Sequence, residues 1–304
     1  MPSFSIKNRH GQDINVILVG PKTNTSNIID PSNVSDITNT SSTSNTPDTP
    51  NTINTPNTID TSTTPNISNQ IVILVHGLCS HKNAIFFPAL STSLTQQSYW
   101  TCRFDMPLYH SDNTTFRYGA FAEDVADLQE IFSYCTNQLS LKPIALIGHS
   151  RGANVVMHYA LMHPEMPLSI IGIAGRFVMQ GGLKKHPLDQ IAQLQKEGKA
   201  FEWKVKCRGN DDFRVTVNTD GLSSYLSQQL INDRMYEMPA CHRVMVLHGT
   251  GDETTNVEDA HSFERLLKQS GCECQLTEID NAGHGFRGYE EPLIKAINSF
   301  LSLR

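Results

Sequence analysis

Two kinds of apolar pattern alternate along most of this chain. Ile71-Val72-Ile73-Leu74-Val75 and Pro143-Ile144-Ala145-Leu146-Ile147 are unbroken apolar runs, the form expected of strands buried on both faces. Tyr99 to Phe104, Leu168 to Ala174, Arg243 to Leu247 and Cys274 to Ile279 read as further strands. Between them the spacing becomes helical. Phe121, Val125, Leu128, Phe132 and Cys135 fall on one helix face, with Glu123, Asp124 and Asp127 assigned to the others. Ala153 to Met162 predicts a helix stopped before Pro164, and Asn256 to Ser270 one capped by Asn256, with Gly271 just past its end. A last helix is expected from Tyr289 to Leu301. Such alternation predicts βαβ units, and so a mostly parallel sheet with helices on both faces.

Three stretches break the rhythm. Residues 4–19 alternate as a hairpin, with Arg9 to Asp13 as its turn and Ile14 to Val19 as its second strand. Residues 23–69 are almost entirely Asn, Thr, Ser, Pro and Asp, without an aromatic side chain. That composition buries too little to offset the entropy of ordering and predicts a disordered insertion between two strands. Residues 175–242 are more polar again. They hold a second predicted hairpin, Phe201 to Lys206 and Phe213 to Val217 around Arg208-Gly209-Asn210-Asp211. An insertion at this point lies over the C-terminal edge of a parallel sheet, where such folds bind ligands, and is read as a cap. The expected organisation is a hairpin (1–22), the disordered tract (23–69), a core in two parts (70–174 and 243–304), and the cap (175–242) between the two parts.

Composition removes several classes of function. A formal charge of −6 over 304 residues gives no footprint for nucleic acid or an anionic membrane. No apolar run approaches the roughly 20 residues of a membrane span, and the first residues lack the pattern of a secretory signal. Seven cysteines at scattered spacings form no disulfide framework and read as reduced thiols in a cytosolic protein. Cys272-Glu273-Cys274 places two thiols on one strand face, but no second pair accompanies them to complete a metal site. No cofactor is called for, and the oligomeric state is left open.

The densest chemical signal is Gly148-His149-Ser150-Arg151-Gly152. A buried strand runs into it and a helix runs out, the setting in which a G-x-S-x-G turn lifts a serine above a sheet edge. Serine needs a base. Among twelve histidines, His149 is too close in sequence to fold back, while His76 and His248 end buried strands where a core or turn role is expected. His284, in Gly283-His284-Gly285 after the last strand, reaches the same edge and is the expected base. Asp252, after the strand ending at Leu247, is the expected acid behind it, preferred over the adjacent Glu253 and over Asp280. Two backbone N–H groups should face the developing oxyanion: that of Arg151, and one from the loop His76-Gly77-Leu78-Cys79, with Leu78 favoured. Gly77 is expected to permit a turn closed to larger residues, and Cys79 either to pack or to sit at the mouth.

With these residues in place the chain resembles the α/β-hydrolases of the serine aminopeptidase-like group, and among them the cinnamoyl and feruloyl esterase-like enzymes. The likeness rests on His76-Gly77 with Lys82-Asn83, on Arg103-Phe104-Asp105, on Gly148 to Gly152, on His248 to Asp252 and on Gly283 to Gly285. It covers about residues 70 to 304 and implies the α/β-hydrolase fold, with the same nucleophile, acid, base and oxyanion loop. The 23–69 tract has no counterpart in compact relatives. Leu78-Cys79-Ser80-His81 lacks the acidic residue that monoglyceride lipases carry in that loop, which points away from lipid esters. The expected activity is hydrolysis of a small-molecule carboxylic ester, with a short or aromatic acyl group, through an acyl-enzyme on Ser150. Amide, peptide or thioester cleavage by the same residues, or a small-molecule receptor on a hydrolase fold, are the alternatives.

Overall fold

A computed structural model describes residues 3–21, 69–107, 118–185, 188–207 and 210–303. Most of the 23–69 tract therefore lies outside the described residues. Every strand expected from the apolar pattern is present. In chain order the elements are β1 (Ser3–Lys7), β2 (Asp13–Val19), β3 (Gln70–Val75), α1 (Phe87–Gln96), β4 (Trp100–Phe104), α2 (Phe121–Asn137), β5 (Lys142–His149), α3 (Arg151–Met162) and β6 (Ser169–Ile173). They continue with α4 (Leu188–Glu197), β7 (Phe201–Cys207), β8 (Asn210–Val217), α5 (Thr219–Asn232), β9 (Arg243–Gly249), α6 (Val257–Ser270), β10 (Glu273–Ile279) and α7 (Glu290–Ser302).

Eight strands form one sheet in the order β1-β2-β4-β3-β5-β6-β9-β10. From β4 to β10 every pair is parallel, while the β1–β2 hairpin adds to β4 in the antiparallel sense. Successive side chains of a strand point to opposite faces, and the core divides accordingly. Ile71, Ile73 and Val75 of β3 pack on the face covered by α2, α3 and α6, whereas Val72 and Leu74 face α1 and α7. β9 repeats this with Val244 and Val246 on one face and Met245 and Leu247 on the other.

This topology fixes where a site can form. β3 lies between β4 and β5, so the connections leaving β3 and β5 diverge to opposite sides of the sheet. A crevice opens between their C-terminal ends, which is where open parallel sheets receive ligands. Ser150 follows β5 directly, and His76 to Cys79 follow β3.

Several local readings need correction. α1 has no counterpart in the expected elements, although Pro88 stands in its first turn and Phe87, Leu90 and Leu94 are buried at helical spacing. Asp124 and Asp127 do not look outward from α2. They are 0% and 2% exposed, because each meets a partner from a distant segment. The Asp124 carboxylate accepts from Arg151 Nε at 2.6 Å, and Asp127 Oδ1 accepts from Asn8 Nδ2 at 2.9 Å. Asn8 also accepts the His10 and Gln12 amides, so one side chain both shapes the β1–β2 turn and docks it on α2. In the second hairpin Cys207 pairs with Asn210, so β8 begins inside the stretch assigned to the turn, and only residues 208–209 lie between the strands. The segment between β6 and β9 also contains α4 and α5, which the sequence reading did not anticipate.

Candidate active site

The serine sits under constraint. Ser150 has φ 55° and ψ −120°, a backbone conformation that costs a non-glycine residue about 1–3 kcal/mol. The two glycines of the pentapeptide are required by space. A Cβ on Gly148 would lie 2.0 Å from the Gly152 carbonyl oxygen, and one on Gly152 would lie 2.3 Å from that of Val75. The turn thus packs directly against the end of β3. Ser150 occupies the N-cap position of α3, yet its hydroxyl makes no capping hydrogen bond and is left for other chemistry. The N–H of Arg151, first residue of that helix, has no intrahelical acceptor.

His284 and Asp252 are brought together. His284 Nδ1 donates to Asp252 Oδ2 at 2.7 Å, which leaves Nε2 as the ring nitrogen without that proton. The Asp252 side chain is fully buried and that of His284 is 22% exposed. Asp252 Oδ1 accepts the Thr254 and Thr255 amides at 2.7 and 3.0 Å, and Oδ2 also accepts the Thr255 hydroxyl at 2.8 Å. Burial works to raise this carboxyl's pKa. Hydrogen bonds from His248, His284 and Thr255 outweigh burial and hold it far below the ordinary range. The Thr254-Thr255 clamp escaped the sequence reading, although Asp-x-Thr-Thr is a sequence in which a carboxylate can bond amides two and three residues on. Glu253 and Asp280 are both exposed and make no bond to His284 among the described residues.

The three other histidines weighed as bases serve as props. His248 is fully buried and donates Nε2–H to the Thr255 carbonyl at 3.1 Å, with Asp252 Oδ2 at 3.4 Å. His76 accepts the Met106 amide on Nε2 and donates Nδ1–H to the Gly77 carbonyl at 2.8 Å. His149 donates Nε2–H to the backbone carbonyl of His284 at 2.8 Å, tying the serine turn to the loop that carries His284. Burial, then the nearby His284, lowers the His149 pKa to about 3, so the ring is neutral.

The loop after β3 is laced to the end of β4. Asp105 accepts the Lys82 amide at 2.8 Å and pairs with its ammonium, and Arg103 donates to the Lys82 carbonyl and to Asn83 Oδ1. Those contacts give the Lys82-Asn83 and Arg103-Phe104-Asp105 motifs a physical reason. Positive φ in this loop falls at Cys79 (53°) and Ile85 (49°) rather than at Gly77. Gly77 is needed for clearance instead, since its Cβ would lie 3.0 Å from that of Ser150. Cys79 is 5% exposed and packs in the core.

Two cavities meet at Ser150. One, of about 280 Å³, is bounded by the Gly77–Ile85 loop, His149 and His284. The other, of about 260 Å³, is lined by Leu78, Tyr118, Phe121, Met179, Trp203 and Tyr225 among others. Ser150 and His284 face the first together, with no hydrogen bond within 3.5 Å between them among the described residues, a separation common before substrate binds. Of the six aromatic residues between 175 and 242, Trp203 and Tyr225 line this second cavity. Phe177 instead meets Phe263 edge-on, Phe201 and Phe213 pack in the core, and Tyr236 is 50% exposed. The sequence reading did not place at the pocket Tyr118, just before α2, Phe121, its first residue, or the charged Arg176.

The family model of serine aminopeptidase, S33, matches residues 67–235, more than half of the chain. The chain belongs to that family. Its S33 match contains the serine turn and the loop after β3, while Asp252 and His284 lie beyond the matched residues. The Saccharomyces cerevisiae protein YDL057W is 26% identical over 244 residues, spanning 73% of this chain and 70% of its own length. Among solved structures, Est1E from Butyrivibrio proteoclasticus with bound ferulic acid aligns with a TM-score of 0.67 at 17% identity, over 98% of this chain and 97% of that one. Mouse alpha/beta hydrolase domain-containing protein 10 gives a TM-score of 0.63 at 14% identity, over 99% of each chain. These two likenesses identify the fold that this S33 member shares with them, the α/β-hydrolase fold. No described helix is long and apolar enough to cross a membrane.

Proposed function

We propose that this protein is a carboxylic-ester hydrolase working through an acyl-enzyme on Ser150. The observation that carries the reading is the strained Ser150, sharing a cavity with a His284 whose Nδ1 is held by buried Asp252. In the proposed sequence Ser150 Oγ attacks the ester carbonyl carbon while its proton passes to His284 Nε2. The backbone N–H groups of Leu78 and Arg151 receive the oxyanion, aided by the N-terminus of α3. His284 then gives the proton to the departing alcohol oxygen as the acyl–oxygen bond breaks. Water attacks the acyl-enzyme by the same route, restoring Ser150 and releasing the acid. Every step is met by side chains and amides of this chain. No disulfide joins the cysteines described, which fits a reducing, cytosolic setting.

In this reading residues 175–242 act as a cap, and the aromatic cavity beneath them receives the acyl group. At about 260 Å³ it lies at or under the small end of ligand pockets, which favours short or aromatic acyl chains over long lipid chains. The likeness to Est1E, whose structure holds ferulic acid, agrees with this preference. The test is a p-nitrophenyl ester series from acetate to palmitate beside methyl ferulate and a monoacylglycerol, with fluorophosphonate labelling of wild type and Ser150→Ala. Expected are labelling that depends on Ser150 and an optimum at short or aromatic acyl groups. A folded protein that neither labels nor turns over any ester would refute the proposal.

A further inference from the structure

The two cavities at Ser150 are not equivalent. If His284 protonates the departing alcohol, the alcohol must leave through the cavity that His284 lines, and the acyl group must occupy the other. That second cavity is walled by Tyr118, Phe121, Trp203 and Tyr225, yet two guanidinium side chains, Arg151 and Arg176, also reach it. They are placed very differently. Arg151 is neutralised, with Nε on the Asp124 carboxylate at 2.6 Å and a terminal nitrogen on the Tyr118 carbonyl at 2.7 Å. Arg176 has no carboxylate within 4 Å among the described residues, and one terminal nitrogen donates to the Thr254 carbonyl at 2.5 Å. Asp259, the acid whose charge Arg176 does feel, keeps Oδ1 on the Val178 amide.

Arg176 is also held in place with unusual care. Its N–H donates to Asn154 Oδ1 at 3.2 Å. Its carbonyl accepts from Asn154 Nδ2 at 2.8 Å and from Asn232 Nδ2 at 3.0 Å. Both asparagines are at most 1% exposed and bond each other, so α3 and α5 grip the same peptide. The tether to Thr254 fixes the far end of the side chain. Arg176 is thus a fixed, partly exposed cation in a largely aromatic wall, with no carboxylate within 4 Å among the described residues, and its charge is open to an anion supplied by a ligand. The planar fork of a guanidinium matches a carboxylate with two parallel hydrogen bonds.

We propose that Arg176 is a specificity residue that receives a carboxylate at the distal end of the acyl chain, so that the preferred substrates are half-esters of dicarboxylic acids. The proposal rests on the ester-hydrolase reading, because that reading decides which cavity takes the acyl group. Hydrolysis of such a half-ester needs only water and yields an alcohol and a free dicarboxylate.

The experiment compares p-nitrophenyl hydrogen glutarate with p-nitrophenyl valerate, two acyl groups of equal chain length, in wild type, Arg176→Met and Arg176→Lys. Wild type should favour the charged ester in kcat/KM. That ratio should fall roughly 10- to 100-fold in Arg176→Met and by less in Arg176→Lys. Equal use of both esters by wild type overturns the proposal. So does a fall of both rates together in Arg176→Met with the ratio unchanged, which would leave Arg176 only a structural tether to Thr254. Calorimetric titration with glutarate separates this idea from the one beneath it. Glutarate binding lost in Arg176→Met, in a protein that hydrolyses no ester, would sink the hydrolase reading and keep the anion site. Absence of glutarate binding to the wild type overturns the anion site whatever the turnover.

Discussion

The two sides of Ser150 are built by different means. On the side of β9 and β10, directional bonds settle everything. Both oxygens of Asp252 are occupied, His284 is held at Nδ1 and at its carbonyl, and His248 braces Thr255. On the side of residues 175–242, the wall is made chiefly by packing. Tyr118 and Tyr225 stack at 4.5 Å, Trp203 meets Tyr118 edge-on at 6.0 Å, and β7–β8 forms a sheet of its own. Directional bonds fix positions to tenths of an ångström, whereas apolar packing tolerates substitution of similar volume. Changes on the first side should therefore alter rate, and changes on the second should alter choice of substrate.

The largest expected effects test the first side. Ser150→Ala should lower ester turnover by about 10⁴- to 10⁶-fold with circular dichroism unchanged. Asp252→Asn should lower it by about 10⁴-fold by leaving His284 in the wrong tautomer. Glu253→Gln and Asp280→Asn, both at exposed residues, should stay within roughly threefold of wild type. Equal damage from Asp280→Asn in a folded protein would break the comparison, because the acid would then be elsewhere.

Arg151 belongs to both sides, through its amide and its side chain, and sharpens the contrast. Arg151→Met removes the paired cation from a fully buried Asp124, a change expected to cost about 3–5 kcal/mol in urea unfolding. Arg151→Met combined with Asp124→Leu should recover part of that loss, since no charge is then stranded. On the other side, Trp203→Ala should move the acyl-chain optimum to longer p-nitrophenyl esters by roughly 10-fold in relative kcat/KM. An unshifted optimum would mean that Trp203 does not bound the acyl cavity.

The legibility of the molecule follows the same division. The strands, the serine turn and its glycines, Asp252 and His284 could be read because each is announced by neighbours in sequence, such as an apolar run ending in a small-residue turn. Asp124 and Asp127 were misread because their reasons for burial are Arg151 and Asn8, 27 and 119 residues away. Tyr118, Phe121 and Arg176 meet Trp203 and Tyr225 only after folding, so no local pattern could nominate them. Gly77 was legible as a position closed to larger residues, but a glycine signals either positive φ or close approach, and sequence does not say which.

A separate test, read in stability rather than turnover, is a pair of opposed pH dependences. His149 is held neutral, its pKa lowered from an ordinary 6.5 to about 3. The unfolded chain takes up that proton below pH 6.5 and the folded one does not, so stability should decline from about pH 6.5 toward 3. The depressed Asp252 acts in the same direction at the acid end, being lost as pH falls below the ordinary carboxylate range. Burial raises Asp127 from 3.8 to about 7, so there the folded state holds the extra proton and stability should fall as pH rises between those values. Denaturation midpoints across this range should flatten below pH 6.5 in His149→Asn and below pH 7 in Asp127→Asn, with slope changes of opposite sign. Changes of the same sign would mean that one of the two is not held as the fold implies.

The antiparallel hairpin at the edge of the sheet creates a port. Val19, the last residue of β2, pairs with Thr101, and Ile71, near the start of β3, pairs with Trp100. The chain therefore leaves the sheet and returns to it across a single intervening strand, a gap of about 10 Å. That gap opens at the N-terminal ends of the parallel strands, and β3 carries the chain from there about 20 Å to the edge where Ser150 stands. A bridge of three or four extended residues would close it. Between the described ends Pro21 and Asn69 a short bridge should therefore suffice, and replacing residues 23–68 by a few residues is expected to leave ester turnover and melting temperature nearly unchanged; a large fall in either would overturn that expectation.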